Sequence, residues 1–149
     1  LAIKYHNKRE YVEYYGSLVA ERIRKAGLAE RLQIILPVPV HRSKLRKRGY
    51  NQAELLADVV GRRLDIPVDN GHLLRVSDTT PQKELSPLER ANNIKQALEV
   101  RALPAEWKTV LLIDDIYTTG ATVQACTEAL QEAGVEQVYV GVICIGEGR

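Results

Sequence analysis

Apolar residues recur along this chain with two different periods, and the change from one to the other marks out its elements. From residue 8 to about residue 31, Val12, Tyr15, Val19, Ile23 and Ala26 return at spacings of three and four, with Lys, Arg and Glu between them. That is the stripe of an amphipathic helix, weakened by Gly16 and offered a stop at Gly27. Gln33 to Val40 then reads as a buried strand. Pro37 and Pro39 lack backbone donors, so this strand should finish near Leu36. A second helical stripe follows in Ala53, Leu56, Ala57, Val60 and Leu64, preceded by Asn51 and Glu54 at capping-box spacing. His72 to Val76 is a short strand after the turn residues Asp69, Asn70 and Gly71, and Ala97 to Val100 is a second. Between them, Ser77 to Leu85 has no apolar period and reads as a mobile loop. Ser86, Pro87 and Glu89 spell a helix start: an N-cap, a proline at the first helical position and a closing glutamate. Val110 to Ile113 is an unbroken apolar run ending at Asp114 and Asp115. A helix from Gly120 to Ala133 turns Val123, Cys126, Leu130 and Ala133 inward and stops at Gly134, and Gln137 to Ile145 is the last strand. Strands alternating with helices predict an α/β fold with a mostly parallel central sheet flanked by helices.

Composition changes this picture only in places. A length of 149 residues favours a single domain, 1–149, with the helix at 8–31 packed on its core. The net charge of +2 does not by itself argue for nucleic acid. Its distribution says more, because five of the seven residues from Arg42 to Arg48 are Arg or Lys. This basic stretch reads as a loop between the end of a strand and the start of a helix, where α/β folds place their ligands. That location favours anion binding by His41, Arg42, Arg46 and Arg48 over a merely solvated charge run. The two cysteines, Cys126 and Cys144, are too few for a disulfide framework or a four-cysteine metal site, and both read as small buried hydrophobes. No apolar run reaches membrane-spanning length and no signal peptide is visible, so membrane insertion is not expected and a cytoplasmic location is. The tyrosines Tyr5, Tyr11, Tyr14 and Tyr15 read as packing rather than as a site lining.

The candidate chemistry gathers after Ile113. Thr118, Thr119, Gly120, Ala121 and Thr122 offer three hydroxyls, a glycine and backbone N–H groups at a helix N-terminus, which together suit a phosphate. Asp114 and Asp115 would repel that phosphate. They suit ribose hydroxyls, or a divalent cation held beside the phosphate.

This stretch resembles the phosphoribosyl pyrophosphate (PRPP) signature of type I phosphoribosyltransferases: an apolar strand, two acidic residues, then a turn rich in threonine and glycine. Three further stretches resemble the ComF family, also called competence protein F or GntX-like. They are P-V-P-V-H-R through R-G-Y-N-Q at Pro37 to Gln52, T-x-P-Q-K-x-L-S at Thr79 to Ser86, and E-R-x-x-N-I-K at Glu89 to Lys95. The resemblance implies a type I phosphoribosyltransferase-like fold. It implies that Asp114 and Asp115 meet the ribose hydroxyls and a Mg²⁺ that arrives with PRPP, and that Thr118 to Thr122 hold the 5-phosphate. His41 and Arg42 would occupy the pyrophosphate-binding loop, and Lys83 would stand in the flexible catalytic loop, with Asp115 as the other catalytic candidate. Family members commonly begin with a four-cysteine zinc ribbon. This sequence has none, and no zinc is expected for it.

Three classes of function follow. The first is transfer of ribose 5-phosphate from PRPP to an acceptor that no stretch of the sequence identifies. The second is a PRPP-responsive module without turnover. The third is a single-stranded DNA binder using the basic stretch, with Tyr50 to stack on a base. The resemblance links all three to DNA uptake and to proteins of the competence machinery as partners.

Overall fold

The computed structural model describes residues 7–78, 85–117 and 120–145, except for the side chains of Tyr117, Cys144 and Ile145. Lys83, Thr118 and Thr119 lie outside the described residues, as does most of the loop expected from Ser77 to Leu85. In chain order the elements are α1 (Lys8–Lys25), β1 (Ile34–Pro37), α2 (Arg42–Arg48), α3 (Gln52–Leu64) and β2 (Leu73–Arg75). There follow α4 (Pro87–Gln96), β3 (Leu98–Val100), β4 (Thr109–Tyr117), α5 (Ala121–Glu132) and β5 (Gln137–Ile145).

β1, β4 and β5 form a parallel sheet with β4 at its centre. The apolar run that marks β4 has its cause in this placement, since both faces of the strand are covered. Leu111 and Ile113 join Ile35 of β1 in a core closed by Val12 and Ile23 of α1 and by Leu56 and Val60 of α3. Val110 and Leu112 join Ile34 and Leu36 in a second core against Val123, Cys126 and Leu130 of α5. A strand with water on one face would alternate apolar with polar residues, whereas one between two helical layers cannot. Val68 makes an isolated parallel bridge to Ile35 on the outer side of β1. β2 and β3 stand apart as an antiparallel pair.

Several local expectations meet a different outcome. α1 ends at Lys25 rather than near residue 31, because Gly27 takes a left-handed φ of 72° and Leu28 N–H turns back to the Ile23 carbonyl at 3.2 Å. Gly16 is a contact rather than a weakness. It is buried, and a Cβ built on it would lie 2.5 Å from Val59 Cγ1 and 2.7 Å from Val59 Cβ, so α1 and α3 approach closely only because that atom is missing. Tyr11 and Tyr15 pack on the α1–α3 core, as their spacing suggested. Ala133 is exposed as the cap of α5 instead of facing inward. The Ser86–Glu89 capping box is present, with both bonds at 3.2 Å.

The largest departure is Arg42–Arg48, which is a helix and not a loop. His41 Nδ1 accepts the Ser43 N–H at 3.2 Å to cap its start, and Gly49, at φ 85°, closes its end with an N–H to the Leu45 carbonyl at 2.7 Å. Arg, Lys and Leu are good helix formers, so a short helix with no apolar face arises from its two caps. None of its residues is buried.

Candidate functional site

β4 delivers Asp114 and Asp115 at its carboxyl end, and the two have unequal surroundings. Asp114 continues the side of the strand that carries Val110 and Leu112 and is only 9% exposed, while Asp115 is half-buried. Asp115 N–H donates to Asp114 Oδ1 at 2.8 Å. Burial, followed by the hydrogen bond and the charge of Asp115, pushes the Asp114 carboxyl up to about 7. The amides of Asp115 and Ile116 offset part of that rise. Among the described residues, no Lys or Arg forms an ion pair with either carboxylate. Two neighbouring acids, one taken out of water and left without a cation, form a donor set that a divalent cation would relieve. Among the described residues no group of three or more His, Cys, Asp or Glu could hold a metal, so a cation here would draw further oxygens from water or a ligand.

α5 starts beside this pair. Its N-cap is Gly120, held at φ 81° and ψ 0°, a conformation that disfavours other residues and leaves the cap position itself without a side chain. Ala121 is buried and Thr122 half-buried in its first turn. The structure therefore brings Gly120, Ala121 and Thr122 to the end of the same strand as Asp114 and Asp115.

The segment after β1 leaves the sheet next to them. Pro37 pairs with Ile113, and Val38 N–H donates to the Ile113 carbonyl at 2.8 Å. Beyond it lies a cleft of about 440 Å³, lined on one side by Pro39, His41, Arg42 and Leu45 and on the other by Leu74, Arg75 and Arg101. Arg46 and Arg48 are not among its lining residues and lie exposed on α2. Arg75 ends β2 and Arg101 directly follows β3, and the sequence pattern pointed to neither. A single cation at the end of a short strand carries no local signal, and only the packing of the β2–β3 pair near the end of β1 gives it a neighbourhood. A larger cavity of about 650 Å³ lies between α1 and β5 and contains none of the predicted site residues. Its size has no bearing on the chemistry at β4.

Cys126 also belongs to this region. It is fully buried under β4, and burial, then the charge of Asp114, pushes its thiol up to about 12, so it stays a neutral packing group.

A model of the phosphoribosyl transferase domain matches residues 46–148. The chain belongs to that family. It is similar to competence protein F of Haemophilus influenzae, with 38% identity over 110 residues, covering 72% of this chain and 48% of the relative. It is also similar to the DNA utilization protein YhgH of Escherichia coli K12, with 28% identity over 145 residues, covering 95% of this chain and 63% of the relative. The chain thus spans about half to two thirds of the length of these relatives. Among solved structures, adenine phosphoribosyltransferase from Leishmania donovani superposes with a TM-score of 0.56 at 18% identity, covering 91% of this chain and 53% of that one. That likeness establishes the type I phosphoribosyltransferase fold. The expected resemblance to the competence protein F family and the expected α/β class both hold. No helix among the described residues is long and apolar enough to cross a membrane.

Proposed function

We propose that this phosphoribosyltransferase-family chain binds PRPP with Mg²⁺ at the carboxyl end of β4, as a transferase or a PRPP-responsive module. The observation that carries the reading is the buried Asp114 paired with Asp115, with no ion-pair partner among the described residues, at the point where Gly120 opens α5. In this reading Asp114 and Asp115 take the ribose hydroxyls and the Mg²⁺, and Thr118 to Thr122 take the 5-phosphate. The Mg²⁺ would supply charge neutralisation for the pyrophosphate. His41 and Arg42 would face that leaving group across the cleft, and Lys83 would reach it from the loop that follows β2. Departure of pyrophosphate leaves a cationic sugar centre, so the protein's contribution would be positioning and charge stabilisation.

Calorimetry with PRPP and Mg²⁺ tests the site. Asp115→Ala removes a half-exposed carboxylate and should leave the fold intact. A hydrogen bond to a charged group contributes about 1.5–3 kcal/mol, so PRPP affinity should fall by roughly tenfold or more. Equal affinity in the two proteins would remove Asp115 from the site. Pyrophosphate release in the presence of candidate acceptors would separate turnover from sensing.

One observation favours a second, compatible role in contacting single-stranded DNA. None of Arg42, Lys44, Arg46, Lys47 and Arg48 forms an ion pair among the described residues, although Arg62, Arg63, Lys25 and Lys95 all do. Tyr50 is less free to stack on a base than its sequence position suggests, because Lys8 Nζ sits 3.1 Å from its ring centroid. Any DNA contact would then be mostly electrostatic, with a log–log salt slope of about −0.7 per neutralised phosphate. Fluorescence anisotropy with a labelled oligonucleotide should show weak binding, lost with salt and with the combined Arg46→Ala, Lys47→Ala and Arg48→Ala substitutions. Binding that survives the triple substitution would exclude α2 as the contact.

A further inference from the structure

α2 carries a cluster of cations on a surface helix that buries nothing, so its position depends on how its ends are held. At the leading end, Val38 is fixed to β4 by its N–H to the Ile113 carbonyl. At the trailing end stands Asn51, and its side chain makes two bonds in different directions. Oδ1 accepts the Ala53 N–H at 3.0 Å, capping α3, and Nδ2 donates to the Val38 carbonyl at 3.1 Å. The amide orientation follows from these partners, since a flipped side chain would set oxygen against carbonyl and nitrogen against N–H. The expected capping box is not what holds Asn51, because the Glu54 carboxylate is engaged by Asn70 Nδ2 at 2.7 Å instead. Asn51 therefore closes a ring of chain from Val38 to itself, and α2 rides on that ring. Two outer ties assist: Ser43 Oγ donates to Asp78 Oδ2 at 3.1 Å, and Lys8 sits over Tyr50.

We infer that Asn51 is a positioning residue, which holds the segment after β1 and the cationic helix α2 against the end of β4 through its bond to the Val38 carbonyl. The consequence for ligand rests on the PRPP reading, in which that segment meets the pyrophosphate. The cap and the tether use different atoms of one side chain and can be separated. Asp and Ser cap helices about as well as Asn does, and neither can donate as the amide does to Val38. Asn51→Asp is isosteric and turns the donor into an acceptor facing a carbonyl, and Asn51→Ser is too short to reach it. If the loop is then in place only about a tenth of the time, apparent affinity for a ligand that needs it falls about tenfold.

Trypsin gives a readout that needs no ligand, because α2 carries five Lys or Arg residues, all of them cleavage sites once the helix loosens. Both variants should melt within a few degrees of the parent and be cut between residues 42 and 48 several times faster, with cleavage elsewhere unchanged. In calorimetry with Mg²⁺ they should bind PRPP about tenfold more weakly. Their affinity for ribose 5-phosphate, which lacks the pyrophosphate, should equal the parent's. Parent-like trypsin cleavage and parent-like PRPP affinity in both variants would overturn the inference. So would a large fall in melting temperature with faster cleavage throughout, which would make Asn51 an ordinary cap. A parent that binds neither ligand would overturn the PRPP reading alone, and the cleavage rates would still decide the tether.

Discussion

At pH 8, Asp114→Asn should make the ligand-free protein more stable and, under the proposed PRPP site, weaken binding of PRPP with Mg²⁺ by tenfold to a hundredfold. In an unfolded chain the carboxyl titrates near 3.9, and in the folded protein burial and Asp115 push it up to about 7. The folded state thus holds this proton more tightly than the unfolded state. Its contribution to stability is fully present below about pH 4 and is lost as pH rises through 7. Above pH 7 the parent carries a buried carboxylate with no ion-pair partner among the described residues, which the amide of the variant replaces with a neutral group of the same shape. The amide oxygen can still accept the Asp115 N–H. A shift of this size has an upper bound of about 4 kcal/mol at 1.36 kcal/mol per pK unit, and relaxation of the coupled pair brings the expected gain to about 1–3 kcal/mol. Melting temperatures across pH 4.5, 6 and 8 check this. The curves of parent and variant should start together and separate as pH rises. A gap of constant size would mean that Asp114 is ionised throughout. The loss of affinity follows from the loss of charge, since a neutral amide binds Mg²⁺ poorly and gives up a charge-assisted bond of about 1.5–3 kcal/mol. A residue that costs stability when the site is empty and returns it when a cation arrives is expected of a binding group rather than of packing.

Gly16→Ala should destabilise the protein by about 1–3 kcal/mol, although helix propensity taken alone predicts the opposite sign. Glycine inside a helix costs roughly 1 kcal/mol relative to alanine, so an exposed Gly16 would gain from the change. Gly16 instead faces Val59 across the α1–α3 contact, and the new Cβ would sit 2.7 Å from Val59 Cβ. That neighbouring atom is bonded to the backbone, so no rotamer change can move it aside and the two helices must separate. Overpacking of this kind costs about 1–3 kcal/mol and occasionally more, which exceeds the propensity gain except at its lower limit. At about 2–4 °C per kcal/mol for a domain of this size, thermal unfolding should shift downward by several degrees. A higher melting temperature in Gly16→Ala would mean that the helices can part at little cost. Gly16→Ala with Val59→Ala should recover part of the loss, because the second change removes the clashing Cγ1 methyl and leaves Val59 Cβ in place.

The chain's own pattern determined whatever depends on neighbours within about four residues. The run from Val110 to Ile113 had to lie between two covering layers, since no residue in it could face water at low cost. Ser86, Pro87 and Glu89 had to start a helix, because their side chains satisfy its open N–H groups locally. The acidic pair followed by Gly120 and Thr122 already has, in the sequence alone, the residue types that suit a phosphate and a ribose at a strand end. Tertiary structure decided whatever depends on segments that meet from far apart. Gly16 is a necessary absence only because Val59 lies opposite it, 43 positions along the chain. Asn51 has the look of a helix cap, and its second bond exists only because Val38 is carried back to it. Arg75 and Arg101 come to line one cleft with Arg42 because the β2–β3 pair packs near the end of β1. Asp114 differs from Asp115 because one side of β4 is buried under α5 at that position, and adjacent letters in a sequence do not record which of two acids will lose its water.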